Sequence, residues 1–302
     1  MAPMSQSSSS LHGVVLVLLA AMLWGTTGTA QSVAPPDMSP LWVGALRMAM
    51  AAAFFVLLGR LVRAPTTTAQ GPLNWPRMLL CAVCMAVYNL TFFAGLQSTG
   101  VGLGTAIALG SSPVWAGVLQ ALMQRRMPNT WWWLGTAIGI AGGFVMLLGK
   151  SGDLQHSLHG VALCLLAGLS YGAYAVVSQP LFVQSGVTRV NAWVFFSAAV
   201  LSLPFAALFG GLPPTEVRSW TVVLYLGVVA TGVAYLLFSM GLRTISAATS
   251  VALSKFEPIT AFVLSILVVG EAPSWLAVGG LLLVLLGLWL VVHSEMRQSR
   301  QR

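Results

Sequence analysis

Ten apolar runs, each long enough to cross a lipid bilayer, alternate with short polar segments along the chain. Each run has about 17–24 residues, the length of helix that the hydrocarbon core requires. The runs are Gly13–Ala34, Leu41–Val62, Met78–Leu96, Thr105–Met123, Trp131–Leu148, Gly160–Val183, Ala192–Phe209, Trp220–Gly241, Ala247–Val269 and Trp275–Val292. Because lipid offers the backbone no hydrogen-bond partner and the runs lack the alternation of barrel strands, the pattern predicts ten transmembrane helices.

The basic residues of the loops indicate the orientation of these helices. If the N-terminus is cytoplasmic, ten of the 14 lysines and arginines fall in the inner loops and the C-terminal tail. The outer loops then hold only Lys150 and Arg218, while Arg47 and Lys255 lie inside predicted helices. The distribution predicts a multi-pass protein of a bacterial-type inner (cell) membrane, with both termini cytoplasmic.

Composition excludes most other classes of protein. Of the 302 residues, 57% are hydrophobic and 7% are charged, against roughly 25% charged in a soluble domain. The net charge of +8 reflects the loop arginines and predicts no nucleic-acid partner, so membrane lipid is the expected surrounding. The cysteines Cys81, Cys84 and Cys164 lie in apolar runs and are interpreted as small core residues. The sequence predicts neither a metal site nor a cofactor.

The two halves of the chain resemble each other. Leu11–Val14 recurs as Leu158–Val161 at an offset of 147, and Pro113 matches Pro258 at an offset of 145. Each half holds five helices, and an odd number makes the second half enter from the opposite side. We predict an all-α integral membrane protein, with ten transmembrane helices as two inverted five-helix repeats. The predicted parts are an N-terminal tail (1–12), a first repeat (13–149), a second repeat (150–292) and a C-terminal tail (293–302).

Several short motifs point to a known family. They are Leu23-Trp24-Gly25, Gly44-Ala45-Leu46-Arg47, Asn89-x-x-Phe92-Phe93-x-Gly95-Leu96, Pro113, Glu257-Pro258 and Gly270-Glu271. In this order, over two five-helix halves from about Val14 to Val292, they resemble the EamA family of the drug/metabolite transporter superfamily. The resemblance implies a ten-helix bundle that moves small metabolites, often amino acids, through a central cavity. Gln124-Arg125-Arg126 departs from the Gly-Glu that the first half of the family commonly has.

Three charged residues lie within the apolar runs: Arg47, Lys255 and Glu257. Each costs roughly 2.5–3.5 kcal/mol at the centre of a membrane helix, so such groups usually face a cavity or a partner. Lys255 and Glu257 are about 200° apart on an ideal helix and would not share a face unless Pro258 distorts the turn. An alternative is that Arg47 and Glu257 form a buried pair, or lie near enough to a helix end to reach the interface.

Aromatic and polar residues at helical spacing complete a candidate cavity. The predicted substrate-binding residues are Trp24, Thr27, Arg47, Asn89, Ser111, Trp115, Tyr171, Tyr174, Tyr235, Lys255 and Glu257. An aromatic pocket with a few polar groups suits a small amphiphilic solute or an organic cation. The alternative interpretation of the aromatic residues is ordinary packing or an interfacial belt.

The function predicted is a secondary transporter or facilitator of amino acids or related small metabolites, in the export direction, by alternating access between the repeats. One alternative is a multidrug or organic-cation exporter, and a third, of another class, is an intramembrane enzyme or a scaffold. His-Glu-x-x-His, Gly-x-Ser-x-Gly and P-loop motifs are absent from the sequence, so no catalytic residues are predicted. The expected partners are a small-molecule substrate and lipid. Proton coupling, and the choice between a monomer and a homodimer, are left open.

Overall fold

The computed structural model describes residues 3–32, 35, 38–62, 71–148, 157–270 and 274–301. Among them, ten helices are long and apolar enough to cross a membrane. Spans 1 to 10, in chain order, are Ser9–Ala30, Pro40–Leu61, Trp75–Thr99, Gly102–Gln124, Thr130–Leu148, Leu158–Ser185, Val187–Phe209, Val217–Leu242, Ala247–Val268 and Trp275–Gln298. The prediction of an all-helical ten-span protein is confirmed, and the described residues contain no strand.

Some features of the sequence analysis fall outside the described residues. These are Lys150, Glu271, the predicted boundary between the repeats at residues 149 and 150, and the end of the first predicted run at residues 33–34. The limits of the repeats and tails stay predictions.

Spans 1 and 9 are interrupted. Span 1 consists of the end of a helix, Pro3–Gly25, and a short helix, Thr27–Ser32, separated by a turn at Thr26. Span 9 consists of Ala247–Leu253, Phe256–Leu264 and a π-helical end, Ser265–Val269. Proline explains the break in span 9, because the ring of Pro258 has no N–H to donate and clashes with the carbonyl four residues earlier. Non-helical backbone at membrane depth is tolerated where protein or a cavity surrounds it.

Span 8 contains a wide turn at its centre. It runs as an α-helix over Val217–Leu224, a π-helix over Tyr225–Val233 and an α-helix over Ala234–Leu242. The buried hydroxyl of Thr231 donates to the carbonyl of Leu226, five residues earlier, at 2.7 Å. Such π segments concentrate at functional sites.

The packing of spans 1 and 8 repeats that of spans 6 and 3. A Cβ atom added to Gly241 would lie 2.7 Å from the carbonyl oxygen of Gly13. At the equivalent place, a Cβ atom added to Gly95 would lie 3.3 Å from the carbonyl oxygen of Gly160. The sequence offsets of 147 and 146 exchange these two pairs. The two halves therefore pack as the predicted inverted repeats.

Spans 5 and 10 pack backbone to backbone along a seam of glycines. Cβ atoms added to Gly142 and Gly280 would lie 2.7 and 2.6 Å from the carbonyl oxygens of Gly280 and Gly142, respectively. Gly135 and Gly287 oppose each other in the same way one heptad further along the pair. Small residues at such a seam let two membrane helices approach closely.

Replacing Gly280 by alanine is expected to destabilise the protein by about 1–3 kcal/mol, because the added methyl group overpacks the seam. The neighbouring Gly279 is a matched control, since a Cβ atom there meets nothing within 4 Å. Alanine is the better helix former by up to about 1 kcal/mol, so Gly279→Ala should be neutral or stabilising. Thermal unfolding of both variants in the same detergent tests this. Equal unfolding temperatures would show that the seam does not contribute to stability.

Candidate functional site

A cavity of ≈ 410 Å³ lies between the two halves of the protein. Seven of the predicted substrate-binding residues are on its wall: Trp24, Thr27, Arg47, Tyr171, Tyr235, Lys255 and Glu257. They come from spans 1, 2, 6, 8 and 9, so the fold brings together positions that are distant in sequence. Their contact with substrate stays a prediction.

Aromatic rings form one side of the cavity. The ring of Trp24 lies 5.1 Å from that of Tyr235 and 6.2 Å from that of Tyr171, edge to face in both pairs. Tyr88 continues the wall, with its ring centroid 5.4 Å from that of Tyr171. Edge-to-face contacts of this kind are favourable beyond the area that they bury. The wall joins spans of both halves.

Arg47 is held in place by two neighbours. Its Nη2 atom donates to Oδ1 of Asn89 at 3.3 Å, and its guanidinium group lies 5.5 Å from the centroid of the Phe93 ring. Gly44, one turn earlier, makes room for the amide, because a Cβ atom there would lie 2.5 Å from Nδ2 of Asn89. The Gly44–Arg47 motif thus positions a cation at the cavity wall, where a cation–π contact with Phe93 supports it.

Lys255 and Glu257 both reach the cavity because span 9 is interrupted beside them. Buried Lys255 donates from Nζ to the carbonyl oxygen of Thr136 in span 5, at 3.3 Å. The separation of about 200° expected for a continuous helix does not apply at the turn formed by Ser254 and Lys255. For Lys255 and Glu257 to share a face, Pro258 had to distort the turn, and the structure contains this distortion.

The cavity places two cations and one carboxylate in surroundings of low dielectric constant. Among the described residues, Arg47 and Glu257 share the cavity wall without forming an ion pair. Charges in such surroundings interact more strongly than they do in water. The two cations can bind a carboxylate or another anion, and Glu257 can bind an ammonium group, while the aromatic wall accommodates an apolar side chain.

Two other predicted residues, Asn89 and Tyr174, lie outside the cavity lining. Asn89 is 1% exposed and accepts the hydrogen bond from Arg47 described above. Tyr174 is fully buried, and its hydroxyl donates to Oδ1 of Asn191 at 3.4 Å. Both side chains therefore contact protein in this conformation.

Ser111 and Trp115, on span 4, also lie outside the lining. The hydroxyl of Ser111 donates to the carbonyl of Ala108 at 3.3 Å. Trp115 packs beside Gly172 of span 6, where an added Cβ atom would lie 3.3 Å from the Cβ atom of Trp115. Their face of span 4 is directed at span 6 rather than at the cavity.

Several lining residues are not among the predicted binding residues, including Tyr88, Thr231 and Ser254. Tyr88 precedes Phe92 by one helical turn, so the spacing alone places both on one face, and their ring centroids are 5.6 Å apart. The position of Thr231 on the cavity wall depends on the π segment of span 8, which no sequence pattern predicted. Ser254 lies at the break in span 9, where its hydroxyl is 3.0 Å from that of Tyr171.

The ten spans, the inverted halves and the charged cavity between them define a multi-pass membrane transporter of small molecules. A model of the EamA-like transporter family matches residues 11–148 and 158–293, one match in each half. The chain belongs to the EamA-like transporter family. Membership confirms the expectation from the sequence motifs and favours a transporter over the enzyme alternative.

Relatives along most of the chain are also named as transporters. The uncharacterized transporter YwfM of Bacillus subtilis is 34% identical over 289 residues, covering 95% of both chains. A probable terminal-alkyne amino-acid exporter of Streptantibioticus cattleyicolor is 26% identical, covering 77% of this chain and 81% of its own. An S-adenosylmethionine/S-adenosylhomocysteine transporter of Chlamydia trachomatis is 28% identical, covering 95% of this chain and 90% of its own.

A solved crystal structure supports the fold. It superposes with a TM-score of 0.79 at 20% identity and covers 97% of this chain and 99% of its own. At this identity the likeness concerns the fold alone.

Proposed function

We propose that the protein is a secondary transporter or facilitator that exports amino acids or related small metabolites by alternating access around the central cavity. The observation that carries the proposal is the grouping of Arg47, Lys255 and Glu257 on the wall of one cavity with aromatic rings. An amino acid carries a carboxylate and an ammonium group, and the cavity offers a partner for each. Relatives named as an amino-acid exporter and as an S-adenosylmethionine transporter support this class of solute.

The proposal includes an orientation. Both termini are cytoplasmic in a cell membrane, since the loop arginines then lie on the inner side. The first repeat spans residues 13–149 and the second 150–292, and one repeat moves against the other during transport. Glu257 is the candidate proton carrier if transport is coupled to a proton gradient.

A second candidate is an exporter of organic cations or drugs. The aromatic wall of Trp24, Tyr88, Tyr171 and Tyr235, together with the carboxylate of Glu257, favours it, because aromatic faces and a carboxylate bind organic cations. Such a substrate would not require the cations Arg47 and Lys255.

Purified protein in liposomes tests both candidates. Radiolabelled amino acids, offered as a panel, should enter protein-containing liposomes faster than empty ones, and an imposed pH gradient should alter the rate only if protons are coupled. Uptake of a labelled lipophilic cation, with none of the amino acids, would replace the first candidate with the second. If no solute of either class moves, both are wrong.

A further inference from the structure

A second cavity, of ≈ 330 Å³, lies at the end of the bundle where the first span begins and the last span ends. Its lining is polar and includes Ser9, Gln120, Gln179, Arg243 and Glu295. Ser9, Gln120, Gln179 and Glu295 lie toward one end of spans 1, 4, 6 and 10, and Arg243 directly follows span 8. In the proposed orientation this end faces the cytoplasm.

A dry layer separates the two cavities. Spans 6, 8 and 9, with the residues that directly adjoin them, are among the segments that line both cavities, through the pairs Tyr171 and Gln179, Tyr235 and Arg243, and Ser254 and Ser246. The members of each pair are eight positions apart, which corresponds to about 12 Å of helix. The side chains between them are tightly buried and include the apolar Phe238, Leu242, Val251 and Leu253, each at most 1% exposed. The layer is too well packed to pass a solute in this conformation.

Hydrogen bonds across the boundary between the halves close the layer on the side of the second cavity. Oε1 of Gln120 accepts from the backbone N–H of Ala248 at 2.9 Å. Nε2 of Gln124 donates to Oε1 of Gln179 at 3.2 Å and to the carbonyl of Val176 at 3.3 Å. Span 4 of the first half is thereby bound to spans 6 and 9 of the second half.

Within the second half, the partners of these bonds are themselves fixed. Nε2 of Gln179 donates to the carbonyls of Leu242 and Ile245, at 2.9 and 2.8 Å. The carboxylate of Glu295 accepts from the backbone N–H and the hydroxyl of Ser246, at 3.0 and 2.8 Å. The first helix of span 9 therefore begins in a rigid polar frame, to which Gln120 attaches from the other half.

The opposite end of the bundle differs. The offset of 145 places Ser265 at the position equivalent to Gln120, and its hydroxyl donates within its own helix, to the carbonyl of Phe262 at 3.0 Å. The central cavity extends toward this end, where Gly28, Gly102 and Leu147 line it. The central cavity therefore extends toward the end of the bundle opposite the termini, and the dry layer closes it at the end that carries the termini.

We infer that the second cavity is the entrance of the transport path on the side of the termini, shown here closed, and that Gln120, Gln124 and Gln179 form its gate. The inference rests on the proposed function as a carrier, but it does not depend on the solute. Opening the entrance requires the bonds of Gln120 and Gln124 across the halves to break. Removing one of them favours the conformation in which the second cavity is open and the central cavity is closed to the other side.

Thiol labelling tests the gate without a substrate. In a background with Cys81, Cys84 and Cys164 replaced by alanine, Ser250→Cys reports on the dry layer, since Ser250 is fully buried. Ala261→Cys reports on the wall of the central cavity. Each reporter is combined with Gln120→Leu, Gln124→Leu or, as a matched control, Gln97→Leu, an exposed glutamine on span 3. A membrane-impermeant maleimide is applied to vesicles of each orientation, and monodispersity in detergent verifies folding.

Gln120→Leu is expected to raise labelling at position 250 from the side of the termini by about fivefold, the effect of one net hydrogen bond on a two-state equilibrium. Gln124→Leu, which removes two bonds across the halves, should raise it at least as much. Labelling at position 261 from the other side should fall at the same time, and Gln97→Leu should change neither. Unchanged rates, or a rise at both positions, would overturn the inference. A reciprocal change without amino-acid transport would retain the gate and reject only the proposed solute.

Discussion

Glu257→Gln is expected to lower the rate of transport by about ten- to a hundredfold. The carboxylate faces the central cavity among aromatic rings, and a hydrogen bond to a charged group contributes about 1.5–3 kcal/mol. Glutamine keeps the shape and one acceptor but loses the charge that binds an ammonium group. Initial rates of uptake into proteoliposomes, at saturating and at low solute, measure the loss.

Glu216→Gln is the matched control, because Glu216 is exposed and precedes span 8. It should retain the parental rate. Both variants should elute as the parent does in size-exclusion chromatography, which separates lost binding from lost folding. Parental transport by a well-folded Glu257→Gln variant would remove Glu257 from the binding site.

Arg47→Gln is expected to have a comparable effect, but only if the solute carries a carboxylate. The guanidinium group lies at the cavity wall, oriented by Asn89 and by the ring of Phe93. Its removal leaves a carboxylate without its charged partner, so the solute concentration for half-maximal transport of an amino acid should rise about ten- to a hundredfold. Transport of an organic cation should be unchanged or faster, since a repelling charge is removed.

Arg60→Gln, on the same span but exposed near its end, is the control for the loss of one positive charge. Its transport should match the parent's for every solute. Unchanged amino-acid transport by a well-folded Arg47→Gln variant would remove Arg47 from the binding of the solute carboxylate.

The sequence predicts the spans well because membrane insertion is governed by local hydropathy. The sequence also predicts that Arg47, Lys255 and Glu257 face a cavity, since burying a charge in lipid is costly. The halves were recognisable from prolines and glycines because these residues fix backbone contacts, such as that between Gly13 and Gly241. These features depend on single helices or on short spacings.

The details that the sequence does not predict depend on contacts between helices. Asn89 and Phe92 share a face by spacing, yet Phe92 lines the cavity while Asn89 contacts Arg47 of another span. The spacing of residues predicts which face of a helix they share, but not which other helix packs against that face. Likewise, an angle calculated for a continuous helix could not describe Lys255 and Glu257, because the turn beside them depends on how span 9 is accommodated in the bundle.

The charged residues of span 9 make the two halves unequal. At the offset of 145, the positions of Lys255 and Glu257 correspond to Gly110 and Ser112 in the first half, so one half contributes a cation and an anion where the other contributes a hydrogen atom and a hydroxyl group. The inward- and outward-facing states are thus related in architecture but differ in energy. Solute should half-saturate the carrier at different concentrations on the two faces of the membrane. In an uncoupled carrier, this kinetic asymmetry leaves the final concentration ratio unchanged.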